Sequence, residues 1–157
     1  MSMAMARLFL LSALCVLLPA LVLGQFQIQG RIYCDNCRFG FETEITTYIQ
    51  GATVRLECVN RTNLQVMYSA ETQTDSTGTY NFDVKEDHQD QMCNCLLGKS
   101  PVANCNKADR GRKIASAVLT AYNGVVNRFH KVNSMGFLIN EALPHCKQLH
   151  NKYFATE

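Results

Sequence analysis

Two cysteines spaced C-x-x-C, Cys34 and Cys37, sit inside the ten-residue run Gln29 to Arg38 (QGRIYCDNCR), just past an apolar leader. Such a pair serves as a redox dithiol, as half of a zinc site or as two disulfide anchors, and each use demands a different fold around it. The compartment chooses among them, and the leader sets the compartment. Met1 to Gly24 reads as a secretory signal peptide: Arg7 supplies the charge, Leu8 to Leu18 the apolar core, and the small residues Ala20 and Gly24 a cleavage region, with cleavage expected after Gly24. A transmembrane anchor fits less well, because the uncharged run from Leu8 to Gln25 is near the lower limit for a span and Pro19 interrupts it. The segment from Asn151 to Glu157 (NKYFATE) is polar and carries no lipid-anchor tail or ER-retention signal. The expectation is a signal peptide at 1–24 and a single β domain at 25–157.

In a secreted chain the default use of cysteine is a disulfide framework. Cys15 leaves with the leader, and Cys34, Cys37, Cys58, Cys93, Cys95, Cys105 and Cys146 remain. Their number is odd, so at least one thiol is free or pairs between molecules. Any six still allow fifteen connectivities, and their spacing does not choose among them. Zinc held by Cys34, Cys37, Cys93 and Cys95 is disfavoured because thiols oxidise in this compartment. A redox dithiol is disfavoured because no βαβ context surrounds the pair. The leader holds one basic and no acidic residue, so the mature chain carries 14 basic against 13 acidic residues. That balance gives no drive toward nucleic acid or anionic membrane.

The hydrophobic pattern is that of strands. Phe26, Ile28, Gly30, Ile32 and Cys34 alternate with polar neighbours, as do Val54, Leu56 and Cys58, and later Tyr80, Phe82 and Val84. Leu64 to Thr74 and Gln91 to Leu97 read as two further strands. Cys93 and Cys95, two apart, share a face. Lys113 to Tyr122 and Val125 to Val132 flank Asn123-Gly124, which favours a two-residue hairpin turn. The count is seven strands, with connectors at 39–50 and 98–112 and a tail at 137–154 that packs over one end and holds a short helix near His145 to Lys152. The expected class is all-β: a seven-stranded antiparallel Greek-key sandwich or barrel, stapled by disulfides.

Catalytic signatures are missing: no GxSxG, no HExxH and no phosphate-cradling glycine loop. Glu42 and Glu44 can share a strand face as paired carboxylates do in sugar hydrolysis, but a solvated face is the commoner use. His145 beside Cys146 suggests nucleophile activation only while Cys146 is not in a disulfide. No catalytic residue, cofactor or metal is expected. Asn60-Arg61-Thr62 is the N-x-[ST] sequon, placed on a turn between strands, and glycosylation at Asn60 is expected.

QGRIYCDNCR followed by Gly40-Phe41-Glu42-Thr43 strongly resembles the opening signature of the major olive pollen allergen family, the Ole e 1-like proteins. Gly51 to Cys58 (GATVRLEC), Asp75 to Tyr80 (DSTGTY), Asp87-His88, Gly136-Phe137 and Glu141 to Cys146 follow in the family's order. The resemblance covers nearly all of the chain after the leader. It implies a small secreted plant glycoprotein with a β core and no enzyme activity. It also implies bridges Cys34–Cys105, Cys37–Cys146 and Cys58–Cys93. Cys95 departs from the six-cysteine pattern; it can displace Cys93, join two chains or stay as a buried free thiol, and the last is expected.

The function expected from the resemblance is recognition of an extracellular protein, since members are linked to pollen hydration, pollen-tube growth and receptor-kinase ectodomains, and many are allergens. A monomer in the apoplast or cell wall is expected, with loops 39–50 and 98–112 available for contact. The alternative is a cell-wall carbohydrate-binding module, with Tyr33, Tyr48 or Phe39 stacking on polysaccharide.

Overall fold

The computed structural model describes residues 26–121, 124 and 127–155, so the expected signal peptide lies outside the described residues. The long first strand, β1 (Phe26–Asp35), organises one sheet. Its first half pairs antiparallel with β5 (Thr79–Val84) and parallel with β9 (Phe129–Lys131). Its second half pairs antiparallel with β2 (Thr47–Tyr48) and parallel with β10 (Met135–Leu138). The short β7 (Lys107–Ala108) lies antiparallel outside β10. The second sheet is antiparallel throughout, in the order β4 (Val66–Gln73), β3 (Thr53–Asn60), β6 (Gln91–Leu97), β8 (Ile114–Ala117). Among the described residues one helix, α1 (Cys146–Phe154), follows.

Alternation explains which faces meet. Ile28, Ile32, Tyr80, Phe82 and Phe137 from the first sheet are buried against Val54, Leu56, Cys58, Cys95 and Ala115 from the second. The result is a two-sheet sandwich; the sheets do not close into a barrel.

Four particulars differ from the sequence reading. The strands number ten among the described residues, because β2, β7 and β10 fall in stretches read as connectors or tail. The first sheet is mixed, since β9 and β10 run parallel to β1. Asn123 lies outside the described residues, and among the described residues the strands on either side do not pair with each other as the expected hairpin requires: β8 pairs with β6 in one sheet and β9 with β1 in the other. Gly124 has the positive φ, 82°, that its turn chemistry favours, yet the flanks part. Inward Ala115 and Ala117 hold β8 in the second sheet, while the exposed donors of β1 need a partner along that edge. Loop 85–90 guides the crossing, with the His88 amide donating to the Leu119 carbonyl and the Ala121 amide to Asp87 Oδ2, both at 2.8 Å. Finally, part of the tail is a buried strand, β10, beside β1.

Two glycines in the first sheet make room for tyrosines on the strand opposite. Gly30 pairs with Tyr80, and a Cβ on Gly30 would collide with that ring. Gly136 pairs with Tyr33, whose Cζ lies 2.6 Å from where a Cβ would stand. Each ring lies over backbone that a side chain would otherwise cover, and both tyrosines are almost wholly buried.

Cys95 stands on β6 opposite Leu56, facing the core with Cys93, and is a fully buried free thiol. Burial pushes it from its ordinary 9.0 up to about 11, with the nearby Tyr80 hydroxyl pulling weakly the other way. Burial likewise raises Tyr33 from 10.0 to about 12. The unfolded chain therefore releases the Cys95 proton first, so the thiol's contribution is complete below pH 9 and is lost as pH rises toward 11. Stability should fall by about 1.4 kcal/mol per pH unit across that window. Between pH 9 and 10 Cys95→Ala should lose about 1 kcal/mol less in urea unfolding than the parent does, and the slope that remains belongs to the buried Tyr33 and Tyr80. An unchanged slope would refute the assignment to Cys95.

Candidate functional site

The run after β1 turns sharply, and each of its side chains has a distinct task there. Cys34 is bonded to Cys105, Cys37 to Cys146 and, across β3 and β6, Cys58 to Cys93. The buried Asp35 carboxylate accepts from the Cys37 amide at 3.1 Å and the Gly40 amide at 2.6 Å, closing the turn. Asn36 donates from its side chain to the Ile45 carbonyl at 2.7 Å, and its own carbonyl accepts from the Leu143 amide at 3.0 Å. Arg38 reaches back to the Ile139 carbonyl at 2.5 Å. One turn thus holds connector 39–50, the segment after β10 and helix α1 against one end of the sandwich.

This end carries a second, smaller apolar cluster built on Cys37, Cys146 and Leu149, with Phe39 and Ile45 packed on it. The helix lies over the connector, and Lys152 Nζ donates to Glu44 Oε2 at 2.7 Å. That hydrogen bond holds the Glu44 carboxyl below its usual value. Aromatic rings interlock along the contact: Phe39 with Phe154 at 5.2 Å, Phe41 with Tyr153 at 5.5 Å and Phe39 with His150 at 6.0 Å between centroids. Beside them opens a cavity of about 400 Å³ whose walls include Phe39, Leu143, Pro144, Lys147 and His150. Its walls are mainly apolar, and Lys147 and His150 supply polar atoms. A cavity of this kind accepts an apolar side chain, with Lys147 available to a neighbouring carboxylate.

The cavity residues Leu143, Pro144, Lys147 and His150 escaped the sequence reading. The available signal was the pair of aromatic doublets, Phe39-x-Phe41 and Tyr153-Phe154, once Cys37 is joined to Cys146. Of the proposed sugar-stacking rings, Tyr33 is unavailable: it is 2 % exposed because it lies over Gly136. Tyr48 has Arg31 at 3.3 Å over its ring and donates its hydroxyl to Glu42 at 2.7 Å. Phe39 is engaged in the aromatic cluster. Glu42 and Glu44 do not act as a pair, since one is held by Tyr48 and the other by Lys152. Cys146 is in a disulfide, so His145 has no thiol to activate. Loop 98–112 is tied to β1 by Cys105 and to β10 through β7. Asn60 ends β3, and its side-chain oxygen accepts from the Thr62 amide at 2.8 Å.

Residues 24–154 match the family described as "Pollen protein Ole e 1 like". The chain belongs to that family. Among Ole e 1-like relatives, Protein DOWNSTREAM OF FLC of Arabidopsis thaliana is 43% identical over 150 residues, covering 93% of this chain and 92% of its own. Olee1-like protein of Betula pendula is 37% identical over 126 residues, covering 78% of this chain and 76% of its own. The crystal structure of the major plantain pollen allergen Pla l 1 superposes with a TM-score of 0.68 at 26% identity, covering 78% of this chain and 99% of that one. Several relatives of this Ole e 1-like chain are named as pollen allergens or pollen-specific proteins, and those names describe no enzyme. Its three disulfides suit an extracellular protein. Among the described residues no helix is long and apolar enough to cross a membrane.

Proposed function

We propose that this chain is a secreted, non-enzymatic protein of the apoplast or cell wall that acts as a monomer by recognising another extracellular protein. A receptor-kinase ectodomain at the pollen or pollen-tube surface is the kind of partner the family resemblance suggests. The observation that carries the reading is the open apolar cavity beside α1, with Lys147 and His150 among its walls and a disulfide fixing the helix. Fixing the helix in advance lowers the ordering cost of association. The matching partner segment presents one apolar side chain next to a carboxylate.

Pull-down from plant extracellular fluid with the oxidised protein should retain one ectodomain. Leu143→Asp puts an unpaired charge in the cavity wall, and Lys147→Glu reverses the charge there. Both should weaken capture at least about tenfold, a loss of 1.4 kcal/mol or more in binding free energy, while leaving far-ultraviolet dichroism unchanged. Full capture by both variants would move recognition away from this end of the molecule.

A further inference from the structure

A second cavity, of about 240 Å³, opens on the second sheet, where β6 meets the chain leaving β8. It lies apart from the cavity beside α1 and shares none of its walls. Its lining is evenly mixed. His88, Gln91, Asn94 and Ser116 offer donors and acceptors, and Met92 and Leu119 offer apolar surface. His88 is the unusual member: it is 6 % exposed, its Nδ1 meets Gln91 Oε1 at 3.0 Å, and its Nε2 is buried without a hydrogen-bond partner among the described residues. A buried imidazole nitrogen left unpaired carries the full cost of its desolvation, so a polar occupant would recover energy there.

The sequon stands at the edge of this cavity. Asn60 is the register partner of Gln91 across β3 and β6, and Arg61 is itself part of the lining. The Asn60 side-chain oxygen is committed to the Thr62 and Asn63 amides, and its amide nitrogen, the atom an oligosaccharide is joined to, has no acceptor among the described residues. Register partners lie about 5 Å apart, within the span of a single sugar ring. N-acetylglucosamine matches the mixed lining, with hydroxyls and an acetamide for the polar groups and a methyl and ring face for Met92 and Leu119. We propose that the first N-acetylglucosamine attached to Asn60 seats in this cavity and gives His88 Nε2 its partner, so that the glycan completes the fold of the second sheet.

The test uses three forms of the protein secreted from a yeast host: fully glycosylated, trimmed by an endoglycosidase to one N-acetylglucosamine, and Thr62→Ala, which keeps Asn60 but removes the acceptor sequence. Mass spectrometry should find the glycopeptide at Asn60 in the first two. The His88 ring resonances should coincide in those two and differ in Thr62→Ala, and amides of 88–92 should exchange at least about tenfold faster in Thr62→Ala. His88→Ala in the glycosylated form should remove most of that protection. A bare Asn60 would overturn the proposal. So would His88 resonances that are the same in all three forms, or a one-sugar form that behaves like Thr62→Ala.

Discussion

Replacing Cys37 and Cys146 together by serine is expected to cost roughly 2–5 kcal/mol and to erase the cavity beside α1. The two cysteines are 109 residues apart, but with Cys34–Cys105 in place their bridge closes a loop of about 45 residues, worth about 4 kcal/mol in the chain-entropy account. The local effect is as large as the global one. Helix α1 has nine residues, no side-chain cap at His145 and only Cys146 and Leu149 buried. A helix so short is marginal alone, and its hold on the sandwich comes from the bridge, the Lys152–Glu44 contact and the aromatic cluster. An exposed ion pair contributes at most about 1 kcal/mol and leaves the bridge as the main anchor. Hydrogen exchange should therefore show α1 opening separately in the double variant, while strands bridged by Cys58–Cys93 stay protected. Amides of 147–155 that exchange as slowly as in the parent protein would contradict this account.

Gly30→Val should be as damaging, through the opposite mechanism. A Cβ there collides with the Tyr80 ring, and the ring has no retreat because Phe82, Cys95 and the second sheet enclose it. Overpacking of a filled core costs about 1–3 kcal/mol and sometimes more, and the added branch places this substitution at the upper end. Tyr80→Ala alone should cost about 3–5 kcal/mol as a large cavity. The two sites are one unit, so Gly30→Ala combined with Tyr80→Ala should cost at least about 1 kcal/mol less than the sum of the single changes. Additive costs in denaturant unfolding would show that the ring does not fill the space above Gly30.

Much of this architecture is written locally, and the missed parts have a common cause. The alternation in Phe26–Asp35, Thr53–Asn60 and Thr79–Val84 records one buried face, and the strands lie there. Gly136-Phe137 carries no such record, because a four-residue strand buried on both faces has no alternation to display. The Asn123-Gly124 dipeptide predicts a turn conformation and Gly124 adopts it, but local chemistry does not say to which sheet the flanks will go. The cavity beside α1 was hidden for the same reason. Phe39, Phe41, Tyr153 and Phe154 look like scattered aromatics until Cys37 and Cys146 are joined, and their spacing does not specify that pairing. The family resemblance named the pair; the residue pattern alone left all connectivities open.

The parallel pairing along β1 bears on how the chain is made. Tyr33 emerges early in synthesis, and its partner Gly136 follows about a hundred residues later. Until Phe129–Leu138 leaves the ribosome, the central strand of the first sheet has one edge open and the ring of Tyr33 has no glycine to cover. The second sheet, whose β3, β4 and β6 lie within Thr53–Leu97, is complete but for β8 well before then. Assembly of the first sheet is thus delayed until nearly all of the chain has been synthesised, and contacts of such long range make for slow folding. A molecule built this way needs its exposed strand guarded while it folds, and a nonsense mutation between β1 and β10 leaves an edge of that strand permanently open to other chains.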